Sequence, residues 1–292
     1  MMELFFLEIV LFITGMATGS FLNVCIARIP EGISIVWPGS MCPKCRGPIK
    51  WRDNIPVASW LALRGRCRSC GEPISPRYAA VELLGGLSAI SVFFSFGPSL
   101  TGLIYFALIS SLIVVAFIDL DHGIIPDVIT IPGVFAGLAA SFFLPDMTFF
   151  DSVTGALAGW GVLFAVAWSY KKMTGVDGMG GGDIKLLAMI GAFTGWGGAL
   201  FALFVASMVG TLAGLLVMAA ASVKGDSRNG DDGQADNKKG NNRKADNEKA
   251  ENRNAAAENR MRLSIPFGPF LSIGSIVYLF FGAAVVGWYL NV

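Results

Sequence analysis

Long apolar runs recur along this chain, and they leave it little choice of fold. The hydrocarbon core of a bilayer needs about 20 apolar residues per crossing helix. Runs of that kind fall near 4–26, 79–97, 101–118, 128–144, 152–170, 184–197, 199–222 and 265–290. The sixth is short and rich in glycine, which makes it the least typical span. Only 15% of the 292 residues are charged, against about a quarter in soluble domains. Most of those charges gather in two polar islands, 28–77 and 224–262. The expectation is an all-α polytopic membrane protein of about eight transmembrane helices. The expected divisions are a first helix (1–27), a small cytoplasmic domain (28–77), a transmembrane core (78–223), a disordered cytoplasmic loop (224–263) and a last helix (264–292).

The basic residues orient these helices. Lys and Arg concentrate in cytoplasmic loops. The 28–77 island holds nine of them against three acids, and ten lie in 224–262. The remaining three, Lys171, Lys172 and Lys185, flank the turn between the fifth and sixth runs. The opposite loops carry Glu3, Asp146 and Asp151 and no Lys or Arg. Both termini are thereby expected outside. A secretory signal would place basic residues ahead of its apolar core, yet the first one here, Arg28, follows it. The run at 4–26 therefore reads as a retained helix. In 224–262, ten basic and eight acidic residues interleave with no large apolar residue before Met261, a composition that cannot offset chain entropy by burial.

Within the first island, Cys42-Pro-Lys-Cys45 and Cys67-Arg-Ser-Cys70 form a CxxC…CxxC pair. Two intervening residues let both thiolates of a knuckle converge on one ion, and two knuckles complete a tetrahedral sulfur shell suited to structural zinc. Paired disulfides are the alternative, which a reducing cytosol disfavours. Four thiolates leave no open coordination position, so a structural role is expected rather than a catalytic one. Cys25, inside the first run, reads as a packing residue.

Acids at the ends of apolar helices are costly unless paired or functional. The third run ends in Phe117-Ile-Asp119-Leu-Asp121-His122-Gly-Ile-Ile-Pro126-Asp127, and the sixth opens at Gly180-Gly-Gly182-Asp183-Ile-Lys185. Two carboxylates brought together cannot both ionise cheaply, so they share a proton. The ionised partner can activate water while the neutral one polarises a peptide carbonyl, as in aspartic proteolysis. Gly180 and Gly182 would admit a substrate strand close to the backbone and permit unusual dihedrals beside Asp183. Helix capping by Asp127 or Asp183, and ion-coupled transport or a scaffold role, remain open on the residues alone.

Taken together, these blocks resemble the type IV prepilin peptidases, bifunctional leader peptidases and N-methyltransferases of the wider GxGD protease group. The resemblance is carried by Gly19-Ser-Phe-Leu-Asn23-Val24, the two knuckles, Asp53-Asn-Ile-Pro56, Ser59-Trp60, Arg77-Tyr78, Glu82, the Asp119 and GxGD blocks, and Ile265-Pro-Phe-Gly268-Pro269. It implies that Asp119 and Asp183 are the catalytic pair, Asp119 lying seven residues before Pro126. Asp121, Asp127, Gly180, Gly182 and Lys185 then become supporting residues, and Cys42, Cys45, Cys67 and Cys70 the zinc ligands. It further implies an inner-membrane enzyme whose site faces the cytoplasm, with prepilins and pseudopilins as substrates and S-adenosylmethionine as methyl donor. Membrane lipid is the expected surround, and no nucleic-acid partner is expected. Glu31, Asp53 and Glu72 are candidates to meet a basic leader. A GxGD protease acting on other substrates is the competing enzymatic reading. No Rossmann-type glycine motif marks a methyl-donor site.

Overall fold

The computed structural model describes residues 2–176, 179–226 and 266–290. Its helices are α1 (Met2–Arg28), α2 (Ala58–Ala62), α3 (Pro76–Phe96), α4 (Leu100–His122), α5 (Asp127–Ala140), α6 (Phe149–Thr174), α7 (Gly181–Asp226) and α8 (Gly268–Leu290). A short 3-10 turn spans Trp51–Asp53. Among the described residues the only β pairing is two isolated bridges in the cysteine-bearing segment. The chain forms two compact units, one of residues 1–206 and 267–292 and the other of residues 207–266. Helix α7 runs on to Asp226, and the rest of the stretch expected to be disordered lies outside the described residues.

Five helices (α1, α3, α4, α6 and α7) are long and apolar enough to cross a membrane. Helix α5 and the 268–282 part of α8 are shorter apolar helices. Exposed Phe94, Phe135, Phe150 and Phe204 cover their outer faces, a surface suited to lipid rather than water.

Helix α4 is apolar all round, and both of its faces are covered. Leu108, Leu112 and Val115 join a core built with α5, α6, α7 and α8. Ile109, Ile113, Val114 and Ile118 join a second core with α1 and α3. Packing into both cores steadies α4, and Asp119 sits near its end. Cys25 lies in the second core, as its expected packing role requires.

Close backbone approach fixes the remaining directions. A side chain at Gly15 would meet the Gly85 carbonyl oxygen at 2.6 Å, while Gly19 lies on Glu82, so α1 and α3 run antiparallel. Gly155 lies on Gly191, and Gly159 on Leu187, so α6 opposes the first part of α7. Gly133 and Gly137 contact Met189 and Ala192 in turn, which sets α5 parallel to it. At Gly195 the backbone leaves the helix (φ 71°, ψ 178°). Beyond it, Gly198 meets Tyr278 and Ala202 meets Gly274, antiparallel to α8. The amino end of α8 lies at Asp119, beside the amino end of α7, so the chain reverses around Gly195. The sixth and seventh apolar runs thus occupy the two arms of one interrupted helix. The 181–194 arm extends about 21 Å at 1.5 Å per residue, short of the roughly 30 Å hydrocarbon core.

The α6–α7 contact yields a direct check. A Cβ at Gly191 would overlap the Gly155 carbonyl oxygen, whereas nothing lies within 4 Å of one at Gly161. Gly191→Val is expected to destabilise the protein by about 1–3 kcal/mol or more, seen as a lower Tm in detergent. Gly161→Ala, in the same pair of helices, should leave Tm level or slightly raised.

Candidate active site

Local structure explains how the acids are presented. Helix α4 ends in a left-handed cap at Gly123 (φ 63°, ψ 29°), whose N–H donates to the Asp119 carbonyl at 2.8 Å. Only glycine enters that region cheaply. Pro126 then starts α5, with no side-chain cap. The intervening turn carries Ile125, which touches both neighbours of the site. A Cβ on Gly182 would lie 2.8 Å from Ile125 Cβ, and one on Gly268 would lie 3.3 Å from Ile125 Cδ1.

Asp119 is buried, 6% exposed. Its Oδ2 accepts the backbone N–H of Gly268, at the start of α8, at 2.9 Å. Asp183 stands in the first turn of α7, half-buried, with Oδ1 unpartnered among the described residues. Gly182, next to Asp183, and Gly268, bound to Asp119, both lie against Ile125, which brings the two acids to the same turn. The end of one helix and the start of another therefore bring both acids to one place.

The neighbouring acids are neutralised. Asp121 pairs with Arg77 at the start of α3. That guanidinium also donates to the Phe117 carbonyl at 3.3 Å and lies 4.8 Å over the Phe117 ring. Both oxygens of Asp127 accept from Lys185 Nζ at 2.7 Å. Among the described residues, Asp119 and Asp183 have no cationic partner. Four acids thus divide into two held by cations and two left to each other. Among the described residues, Asp127 binds Lys185 rather than a helix amide, and Asp183 Oδ1 has no partner.

The glycines of the GxGD block differ from expectation in one respect. None of Gly180, Gly181 and Gly182 has positive φ among the described backbone, so unusual dihedrals are not their contribution. Gly181 and Gly182 are ordinary first-turn residues, and the missing side chain at Gly182 makes room for Ile125. Gly180 lies beside Asp183, 3.8 Å from its Oδ2 to a built Cβ.

The same end of these helices holds the cysteine segment. Its knuckles repeat one hydrogen-bond pattern. In the first, Cys42 N–H donates to the Gly47 carbonyl and Ile49 N–H to Ser40; in the second, Cys67 N–H donates to Glu72 and Ile74 N–H to Gly65. The turns need positive φ at Arg46 and Gly71. The four sulfur atoms lie within 4.8 Å of one another, with Cys42 Sγ and Cys70 Sγ 3.9 Å apart. Tetrahedral Zn–S bonds of 2.3 Å require sulfur separations of about 3.8 Å, so these residues could hold one metal ion. All five cysteines are free thiols.

Four contacts brace this segment or the helix ends that carry it. Asn23 Nδ2 donates to the Tyr78 carbonyl at 3.0 Å, and Glu82 Oε2 accepts from Val57 N–H at 2.7 Å. Trp60 Nε1 donates to the Ile74 carbonyl at 3.0 Å. Asp53 and Arg68 form a double hydrogen bond. That guanidinium holds the Asp53 carboxyl below its ordinary range and removes Asp53 as a free anion for a leader.

Sequence reasoning missed the contact of Gly268 with Asp119, which joins residues 149 positions apart. The Ile265-Pro-Phe-Gly268-Pro269 block was its only trace, and Ile265 lies outside the described residues.

A helical membrane protein with two carboxylates lacking a cation among the described residues, at adjoining ends of two helices, and a four-cysteine segment beside them has the makings of a membrane aspartic peptidase. Residues 13–96 match the Bacterial Peptidase A24 N-terminal domain, and residues 106–215 match the Type IV leader peptidase family. The prepilin leader peptidase/N-methyltransferase of Myxococcus xanthus (strain DK1622) is 44% identical over 74% of this chain and 64% of that protein. That of Klebsiella pneumoniae is 42% identical over 64% of this chain and 84% of the relative. That of Aeromonas hydrophila is 34% identical over 96% and 92%. The chain belongs to the type IV leader peptidase family. No solved structure matches it.

Proposed function

We infer that this protein cuts the basic leader from prepilins and pseudopilins at the cytoplasmic face of the inner membrane and methylates the amino terminus so exposed. The observation that carries the reading is the pairing of Asp119 and Asp183. They are the acids without a cation among the described residues, and both fall inside the matched peptidase region 106–215.

In this mechanism a water molecule lies between the two carboxyl groups and the scissile carbonyl. The ionised carboxylate takes a proton from water as oxygen attacks the carbonyl carbon, and the protonated one donates to the developing oxyanion. Collapse of the tetrahedral intermediate breaks the C–N bond, with a proton passing to the leaving amine. The Gly268 amide orients Asp119, while Arg77 and Lys185 hold Asp121 and Asp127 away from the reacting pair.

Zinc is the metal that fits the four-thiolate cluster, where Cys42, Cys45, Cys67 and Cys70 would hold it in a closed structural site. S-adenosylmethionine supplies the methyl group. Eight passes with both termini outside agree with the reversal at Gly195 and the one-sided basic loops, and they put the carboxylate pair on the cytoplasmic side. Lipid surrounds the apolar faces.

The deciding experiment incubates purified protein with a prepilin in detergent and follows the product by mass spectrometry. Loss of the leader and gain of one methyl group are expected. Intact prepilin across a range of pH and lipid would remove the reading.

Gly268 offers a finer test. A methyl there would lie 2.7 Å from Asp119 Oδ2, forcing the carboxylate from its place. A displacement near 1 Å costs about 10²-fold in rate. Gly268→Ala is therefore expected to lower kcat for leader cleavage by about that factor, with metal content unchanged.

A further inference from the structure

The cysteine-bearing island is basic overall, yet from Gly32 to Pro43 it has no charged residue. That stretch opens with a loop just beyond α1 whose Ile33, Ile35, Val36 and Trp37 are all exposed, Val36 by 83% and Trp37 by 78%. Contiguous apolar side chains of this kind mark a surface made for something other than water. We propose that residues 33–38 enter the bilayer leaflet at the carboxyl end of α1, with lipid acyl chains covering Val36 and Trp37.

The first ground is continuity with the surface of α1. That helix is long and apolar enough to cross a membrane, and the loop folds back along it. Ala17, Phe21 and Val24 of α1 share a cleft of about 280 Å³ with Ile35, Val36 and Pro38 of the loop. From Ala17 to Arg28 a helix advances about 16 Å at 1.5 Å per residue. The shared wall therefore belongs to the last turns of the apolar run. Phe21 is itself exposed beside the loop, so the loop extends a face already suited to lipid.

The second ground is how the loop treats its own backbone. Where water is scarce, a polar main-chain group needs a partner within the protein. Arg28 clasps the loop at both ends, Nη1 donating to the Ser34 carbonyl at 3.0 Å and Nη2 to the Gly39 carbonyl at 3.1 Å. The Ser34 hydroxyl accepts the N–H groups of Val36 and Trp37 at 3.3 and 3.4 Å. Pro38 has no N–H to satisfy. The depth is that of the head groups, the level at which Trp settles.

The loop is also tied to the knuckles. Ile49 N–H donates to the Ser40 carbonyl, and Asn54 lines the same cleft. A loop held in the leaflet thus keeps the first knuckle at the membrane surface, where a chain leaving the bilayer can meet it.

Tryptophan fluorescence of the full-length, zinc-loaded protein in nanodiscs tests the placement, the difference between parent and Trp37→Phe isolating the Trp37 signal. An interfacial Trp should emit in the blue and lose about half its intensity when the nanodisc phospholipids carry brominated acyl chains. Aqueous iodide should have little effect. Arg28→Met removes both donors of the clasp and should reverse the two sensitivities at unchanged zinc content. A Trp37 signal quenched by iodide and not by brominated lipid would overturn the proposal. Protection from both quenchers would do so too, because protein, such as a second copy of this chain, would then cover the loop. Parental bromine quenching in Arg28→Met would overturn the part given to the clasp.

Discussion

Asp119→Asn and Asp183→Asn, made separately, are each expected to lower leader cleavage by about 10²–10⁴-fold, the range contributed by a positioned acid or base. The reason is geometric and electrostatic together. Each acid is fixed by a different helix, and neither has a cation among the described residues to hold its charge for a structural purpose. Asn keeps the volume and one hydrogen-bonding oxygen, so the Gly268 amide retains an acceptor at position 119 and the helices should still pack. Matching Tm and metal content would show that only the chemistry was lost. The double variant should be hardly worse than either single one, because residues acting as a unit are not additive. Substantial cleavage by either single variant would take that residue out of the mechanism. Asp121→Asn and Asp127→Asn make the contrast, since their partners are Arg77 and Lys185. Losses there should be smaller and should accompany a change in stability.

Metal removal should have the second large effect. Structural zinc contributes about 10–16 kcal/mol of apparent binding free energy in small finger peptides near neutral pH. The 28–77 segment has only short helical pieces and two isolated bridges of its own. Replacing Cys42 and Cys70 by Ser is expected to abolish stoichiometric zinc and open the segment to trypsin, which finds Arg and Lys throughout it. Because the membrane helices pack through cores that contain none of the four cysteines, they should remain folded. A metal-free protein with parental protease resistance would show that the knuckles hold their shape by other means.

Much of this was legible from the chain itself. Apolar length and basic loops announced the helices, and the cysteine spacing announced a convergent cluster, because both signals are local. The acids stood out because charge is rare at the ends of apolar runs. What the sequence hid was pairwise and distant. Nothing near Asp121 signals Arg77, and nothing near Glu82 signals Val57. The sixth and seventh runs follow one another in α7, and the turn between them is a single non-helical glycine, Gly195, that no neighbouring residue announces. The GxGD glycines suggested unusual backbone angles. They prove to matter for room, since Ile125 occupies the space that a side chain at Gly182 would fill.

The hydrogen bond from Gly268 to Asp119 has a consequence for biosynthesis. A ribosome releases the segment bearing both acids long before the residue that steadies one of them. Throughout that interval the nascent peptidase lacks a part of its own active centre. On the proposed mechanism, cleavage is expected to await the arrival of the last helix. A chain arrested before its final helix should insert and take up zinc yet leave prepilins uncut.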